Sequence, residues 1–445
     1  MPALDAMVPP DSTQTDLSPF STASAAGSAT LRPLRIVHVV DYVMESMGYQ
    51  EYLLPKWNAR HGHEVHVVTS DRYFPLPDYD DTFGPLLGPR RRRPGVTRSE
   101  GMTLHRLACS WEYSVWPWQK RLTEVVESLR PDVVFCHGTA TPTAVRIARL
   151  ARRKGIPLLM DNHMCFSAKR GGLAGLLFYL ALARLGPWLL SSAAYRFLGV
   201  AQECCDFLRR AQRLPTEMIE LLPLGLDTDI FFPDEAAGRR LRAENGIPAD
   251  AMVVMQTGKL SPDKAPHLLS RALAPIMAAD PKVWLVLIGS GPAQYIRQVR
   301  QPVEAVGAAE RLIILPPLPV AEFAKTYNLA DLCVYAGAAS MSSIEAAACN
   351  KPVIMTDIPA SRWRAEMGVG ICYKTGDLAD LEAKIRRMLT DRPYSLKLAS
   401  EARQAVLHHF SYDAVARKSE ELMYQAIEAR HGQGGTGRPE RPKPA

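Results

Sequence analysis

Two lysines five positions apart follow directly on an apolar run. The run is Met252 to Gln256, and the segment after it reads Thr257-Gly258-Lys259-Leu260-Ser261-Pro262-Asp263-Lys264. Gly258 lets the backbone turn at a strand end, and ammonium groups there neutralise a diphosphate and the charge that grows as it leaves. The pattern is not G-x-x-x-x-G-K, so it is no Walker phosphate loop. A solvated turn carrying two lysines is the competing reading. A second candidate is Ser342-x-x-Glu345. Free N–H groups at a helix start near Met341 and Ser342 make an anion site. A carboxylate in the same turn suits sugar hydroxyls. The same spacing is also a capping box, in which Glu345 only caps the helix. Gly289-Ser290-Gly291 carries G-x-G without a third glycine, and a tight turn explains it as well as a dinucleotide fingerprint does. His163 closes the run Asp161-Asn162-His163 and is a candidate hydrogen-bond donor or base. His137 stands at another such end. Either histidine also fits a structural role. His61, His63 and His66 straddle a helix end and the next strand, which is poor metal geometry. Asp78, Asp80 and Asp81 sit in a proline-rich loop and read as solvated. No metal site is expected.

The elements that must position these residues alternate regularly. Arg35 to Asp41 is a buried strand and its loop, and Met47-Gly48-Tyr49 leads into a helix through about Arg60. Glu64 to Thr69 is the next strand, and short joints of this kind give a right-handed parallel crossover. Asp71 to Ser99, rich in Pro, Asp and Arg, reads as a long loop, and Leu104 to Leu107 as an edge strand. Gln119 to Leu129 is amphipathic and helical. Strands follow at Asp132–His137, Pro157–Asp161, Phe197–Val200 and Ile219–Leu222, with helices at Thr143–Arg153 and Gln202–Arg210. Residues 224–250 look irregular and serve as a joint. The rhythm then repeats, with strands at Met252–Gln256, Val283–Ile288, Leu312–Leu315, Leu332–Tyr335 and Val353–Thr356. Helices are expected at His267–Ala278, Pro292–Val306, Val320–Leu329, Ser342–Cys349, Asp377–Thr390, Pro393–His409 and Tyr412–Arg430. Asn350 closes the Ser342 helix and Lys351-Pro352 stops it. This alternation predicts an α/β protein of two doubly wound domains facing a cleft, with ligands beyond the C-terminal strand ends. The boundaries are 1–33 for a disordered leader, 34–223 for the first domain, 251–409 for the second, 410–430 for a helix returning to the first, and 431–445 for a disordered tail.

Composition narrows the partners. Of the 445 residues 47% are hydrophobic, ample for two cores, and the net charge is +7. The charge is concentrated in Pro89-Arg90-Arg91-Arg92-Arg93-Pro94 and in the tail from Arg430. No aromatic residues interleave with those arginines, which speaks against nucleic acid. A solvated loop or contact with an anionic membrane surface remains. The eight cysteines form no C-x-x-C pair and read as small buried residues of a reducing, cytoplasmic compartment. Met1 to Thr30 lacks a basic and apolar leader pattern. Gly172 to Leu190 is the most apolar stretch, but Arg184 and Gly186-Pro187 break it, so a buried or interfacial helix pair is expected rather than a span.

Taken together, several segments resemble one family, the retaining glycosyltransferases of family 4 (glycosyltransferase group 1), which have the GT-B fold. Ile219 to Pro233 is similar to the family's run PNGVDTDxFxP. Gly258-Lys259 with Lys264 resembles GRLxxxKG, with Lys259 in place of Arg and Ala265 in place of Gly. Leu287 to Pro292 resembles VIVGDGP, Glu345 to Ile354 resembles EAMACGKPVI, and Gly62-His63-Glu64-Val65 matches GHEV. The resemblance covers most of Arg35 to His409.

The resemblance implies a nucleotide-diphosphate sugar as donor substrate, no cofactor and no metal. Lys259 and Lys264 would hold the donor diphosphate, aided by Gly258, Gly289, Gly337 and the amides of Met341 and Ser342. Glu345 would bind the ribose, Gly48 would approach the diphosphate, and His163 would lie by the transferred sugar. The expected activity is retaining transfer of a hexosyl group to a glycan or lipid-linked saccharide, in polysaccharide or glycolipid synthesis, peripheral on the inner face of the membrane. One departure stands out. The family has E-x7-E, and here Gly337 replaces the first Glu. A nucleotide-sugar epimerase of the same fold and a non-catalytic glycosyltransferase-like partner therefore stay open.

Overall fold

The computed structural model describes residues 32–76, 79–166, 180–181, 183–184, 186–338 and 341–432. The expected leader and tail and most of Gly172–Leu190 lie outside these. The chain divides into two compact units. One comprises Met1–Val43, Ala59–Leu222 and Glu421–Ala445, and the other Met44–Asn58 and Pro223–Glu420.

The first unit contains β1 (Arg35–Val39), β2 (Glu64–Ser70), β3 (Gly95–Ser99), β4 (Met102–Leu107), β5 (Cys109–Tyr113), β6 (Trp116–Gln119), β7 (Val133–His137), β8 (Leu158–Asn162), β9 (Arg196–Gly199) and β10 (Ile219–Leu221). Eight of them form one sheet in the order β10-β9-β8-β7-β1-β2-β4-β3. Every pair in it is parallel except β3 with β4. The central strands β1, β7 and β8 are buried almost throughout and mostly apolar because both faces are covered. Two expectations need correcting. Leu104–Leu107 is not at the edge, since β3 pairs outside it. The segment 71–99 is not all loop, for it holds β3 and the short helices Tyr79–Thr82 and Gly84–Leu87. The β5–β6 hairpin had no sequence signal beyond its aromatic residues. The end of the last helix (Tyr412–Gly432) is tied to this unit. The Tyr424 hydroxyl donates to the Arg32 carbonyl at 2.8 Å and Arg430 donates to the Gly155 carbonyl at 3.2 Å.

The second unit is a six-stranded, wholly parallel sheet. Its strands are β11 (Met252–Thr257), β12 (Val283–Ile288), β13 (Leu312–Leu315), β14 (Leu332–Tyr335), β15 (Val353–Thr356) and β16 (Ile371–Tyr373), in the order β13-β12-β11-β14-β15-β16. The two-residue alternation of β11 sends Val253 and Met255 into one core, with Ile344 and Ala347. Val254 goes into the other, with Leu269 and Leu273. The segment expected as an irregular joint carries a helix, Glu235–Glu244, capped by Asp234, whose carboxylate accepts from the Ala237 N–H at 2.9 Å. Ahead of it, Leu226 exchanges backbone hydrogen bonds with Phe410 and Tyr412. A Cβ on Gly225 would meet the Tyr412 ring at 2.5 Å, so only glycine fits that crossing.

Helix Ser342–Ala348 ends where the sequence predicts. Asn350 sits at φ +59°, in the left-handed region that Asn tolerates better than other side chains. Asn350→Ala is expected to lower unfolding stability by about 1 kcal/mol, while Asn350→Gly leaves it within ~0.5 kcal/mol. Urea unfolding of the two variants beside the parent checks this.

Candidate functional site

Strands β11, β12 and β14 end side by side in the second unit, and the candidate lysines, glycines and Glu345 gather there. Gly258 leaves β11 at φ +117°, and its N–H donates to the Ile288 carbonyl at 2.9 Å. Leu260 N–H reaches the Ser290 carbonyl at 2.8 Å, and the Gln256 side-chain amide donates to the Lys264 carbonyl at 2.7 Å. The Lys259 side chain is exposed. The Lys264 ammonium donates to the Ala338 carbonyl at 2.8 Å, and Ala338 N–H donates to the Asp263 carbonyl at 2.9 Å. The lysine loop and the loop after β14 are therefore one structure.

The glycines explain how close that structure is. A Cβ on Gly289 would stand 1.9 Å from the Gly258 carbonyl oxygen. One on Gly291 would stand 2.0 Å from that of Leu260, and one on Gly337 2.2 Å from that of Asp263. Gly289-Ser290-Gly291 is thus a close-packing device that brings its loop against the lysine loop. Gly337 cannot be exchanged for Glu in this backbone.

Glu345 lies in the first turn of helix Ser342–Ala348, whose N-cap is Met341, one residue earlier than a capping box requires. Its carboxylate instead accepts from the Tyr327 hydroxyl at 2.5 Å. Tyr327 is fully buried, packed edge-on by Phe231 and Phe323, and its hydroxyl lies 2.9 Å from Thr257 Oγ1. Thr257 Oγ1 also lies 3.3 Å from the Tyr335 hydroxyl, and Tyr335 donates to the Ser342 carbonyl at 2.6 Å. Burial pushes Glu345 up to about 7, against the bond from Tyr327 and the charge of Arg364, which act the other way. Burial also brings Arg364 down to about 10. Tyr327, Tyr335, Thr257 and Arg364 were not singled out from the sequence. Each sits in an ordinary apolar or helical run, and nothing in its spacing marks it.

His163 and His137 belong to the first unit. Gly138 N–H donates to Asp161 Oδ1 at 2.9 Å. Asp161 Oδ2 lies 2.7 Å from His137 Nδ1 and 3.4 Å from His163 Nε2. His137 Nε2 in turn lies 3.1 Å from His38 Nδ1. Burial alone would raise Asp161, but the two imidazoles outweigh it and hold the carboxyl well below the usual range. The ligand atoms of His137, Asp161 and His163 fall within 4.8 Å of one another, a set that has the composition of a cation site as well as of a charge-oriented histidine. Asp41, at the end of β1, is pushed up to about 6 by burial while accepting from Thr143 and Gln119. Gly48 groups with the second unit. It is exposed at φ +70°, and the space where a side chain would be is nearly open, which leaves its backbone accessible.

The family pattern described as glycosyl transferases group 1 matches residues 238–405, and that of glycosyltransferase family 4 matches residues 54–230. Together they take in well over half of the chain. The chain belongs to the group 1, family 4 glycosyltransferases. Among the relatives of this glycosyltransferase is a protein of Segniliparus rotundus named D-inositol 3-phosphate glycosyltransferase. It is 28% identical over 59% of the chain and 60% of its own length. The protein of the same name from Thermobispora bispora is 28% identical over 70% of the chain and 74% of its own length. The chain thus spans 60% of the length of the Segniliparus relative. The crystal structure of Anabaena Alr3699/HepE in complex with UDP superposes with a TM-score of 0.62. It is 18% identical and covers 88% of this chain and 100% of its own. That likeness shows the GT-B fold of two Rossmann-like domains. Among the described residues no helix is long and apolar enough to cross a membrane.

Two outcomes follow from this geometry. Gly337→Glu, which restores E-x7-E in sequence, should not restore that function. The new side chain must push the Lys264 loop away, and unfolding stability should fall by about 2–4 kcal/mol, read by urea denaturation. Glu345 has a folded pKa near 7 against an ordinary 4.5. A raised carboxyl contributes its stability in full below pH 4.5 and loses it as pH rises through 7. Glu345→Gln removes that ionisation. It should stabilise the free protein by about 1–2 kcal/mol at pH 8, allowing for partial exposure, and by nearly nothing at pH 4.5. The difference between unfolding curves at the two pH values checks the sign.

Proposed function

We propose that this glycosyltransferase moves a sugar from a nucleotide-diphosphate donor to an acceptor hydroxyl with retention at the anomeric carbon. The observation that supports the reading most is Glu345. It is a half-buried carboxylate held on Tyr327, beside a loop that offers Lys259 and Lys264. In the proposed reaction the bond from the anomeric carbon to the diphosphate oxygen breaks, and the acceptor oxygen bonds to that carbon and gives its proton to the departing diphosphate. The charge developing on the diphosphate is met by Lys259 and, once released from the Ala338 carbonyl, by Lys264. Two ammonium groups supply there what a metal ion supplies in other transferases. Glu345 accepts from the ribose hydroxyls. His163, oriented by Asp161, serves the transferred sugar.

HepE is a protein whose structures hold UDP and UDP-glucose, and this motivates a uridine nucleotide as the first donor to try. The acceptor is a hydroxyl of a glycan or lipid-linked saccharide, in cell-surface polysaccharide or glycolipid synthesis at the inner membrane face. D-inositol 3-phosphate, which the names of the relatives carry, is the first competitor. Gly337 supports a second reading, a partner that binds the donor without turning it over, because the family's first Glu is missing and sterically excluded.

A donor and acceptor panel separates these readings. Sugar transfer supports the enzyme, isomerised free donor an epimerase, and saturable donor binding without product the partner. In whichever pair is active, Lys259→Ala and Lys264→Ala should each lower kcat/KM by about 100-fold, close to 2.7 kcal/mol of transition-state stabilisation. An unchanged rate in both would remove the lysines from the mechanism.

A further inference from the structure

A second constellation of cations lies at the opposite, N-terminal strand ends of the second unit's sheet. Ala249, Asp331 and Pro352 immediately precede or closely lead into β11, β14 and β15, and all three line a cavity of about 500 Å³. The lysine loop and Gly337 follow the other ends of β11 and β14. Six residues of strand separate the two places by roughly 15–20 Å. Nucleotides bind parallel sheets beyond their C-terminal ends, so this cavity is not an arm of the candidate donor site.

Its lining has four basic residues, Arg239, Arg242, Lys351 and Arg392, against two acidic ones, Glu235 and Asp331. The charges are not equivalent. Arg242 is fully used, since it donates to the Leu329 and Ala251 carbonyls and to Asp331 Oδ2 at 2.7 Å. Asp331 is used as well, since Oδ2 also accepts the Val253 N–H at 2.9 Å. Arg392 is half exposed and makes one long contact, 3.4 Å, to Asp331 Oδ1. The Lys351 ammonium, half-buried, has no hydrogen-bond or ion-pair partner among the described residues. Nor is it needed to close helix Ser342–Ala348, because Arg403 donates to the Ala348 carbonyl. Burial holds the Lys351 ammonium below the usual lysine range, against the charge of Asp331, which acts the other way. Leaving an ammonium in that state is unfavourable unless an anion completes it. Ile247, Leu396 and Ala399 add apolar surface to the same lining. The volume is that of a small-molecule site.

We propose that this cavity binds a small phosphate-bearing molecule, with its phosphoryl group on Lys351 and Arg392 and its body against Ile247, Leu396 and Ala399. The site is independent of the donor-binding reading, although it shares an element with it. Glu345 stands in the first turn of helix Ser342–Ala348, and Cys349 to Lys351 follow its end.

Inorganic pyrophosphate titrated calorimetrically into the full chain tests the proposal. The expected result is a binding event that persists in Lys259→Ala, weakens about tenfold in Lys351→Met and weakens severalfold in Arg392→Ala. Lys351→Met removes a half-buried charge at similar length, and its thermal unfolding should match or exceed the parent's. Should it fail to fold, Arg392→Ala, on an exposed side chain, decides alone. Binding that vanishes in Lys259→Ala, or that neither Lys351→Met nor Arg392→Ala weakens, overturns the proposal.

Discussion

The second unit is organised by backbone contact rather than by side chains. Gly289, Gly291 and Gly337 each bring a strand-end loop to where a Cβ would stand about 2 Å from a carbonyl oxygen of residues 258–263. No side chain can occupy that space, so the three loops move together or not at all. The Lys264 ammonium on the Ala338 carbonyl and the Gln256 amide on the Lys264 carbonyl then fix the loop's two flanks. Two lysines on a free loop would explore many arrangements and lose that freedom on binding a ligand. Two lysines on a loop pinned between strand ends lose little.

Much of this was legible in the sequence, and the exceptions have physical reasons. The strands were readable because parallel strands buried on both faces must be continuous apolar runs, as in Val283–Ile288 and Leu332–Tyr335. Helix ends were readable where the left-handed region narrows the choice of residue, as at Asn350. The β5–β6 hairpin was not, because its pattern is bent by a register shift between Cys109 and Glu112 and its aromatic residues face outward. The helix Glu235–Glu244 was hidden by its charge, since nine of its ten residues are charged, Ala or Gly and only a thin stripe is buried.

The site shows the same division. Lys259, Lys264 and Glu345 were visible because their chemistry is on the surface of the pattern. Tyr327, Tyr335 and Thr257 were not, since a buried tyrosine in an apolar segment looks like core until its hydroxyl is placed. Gly337 was visible as a departure from the family pattern, but its packing was not. The space beside it is full of backbone, and any substitute contact to the donor sugar has to come from elsewhere than a side chain at that position.

The Tyr327 to Glu345 bond gives the resemblance to a capping box its proper weight. A capping Glu is exposed and ionised, and it is interchangeable with Gln at small cost. A carboxylate desolvated to a pKa near 7 is costly to keep in the folded chain, and one tyrosine hydroxyl and the field of Arg364 do not offset that cost. Such a group is stabilised fully only when more donors reach it. Two adjacent hydroxyls of a ribose are donors of that kind, at the spacing a carboxylate accepts. On the proposal that Glu345 binds the donor ribose, those hydroxyls would supply the donors that the free chain does not.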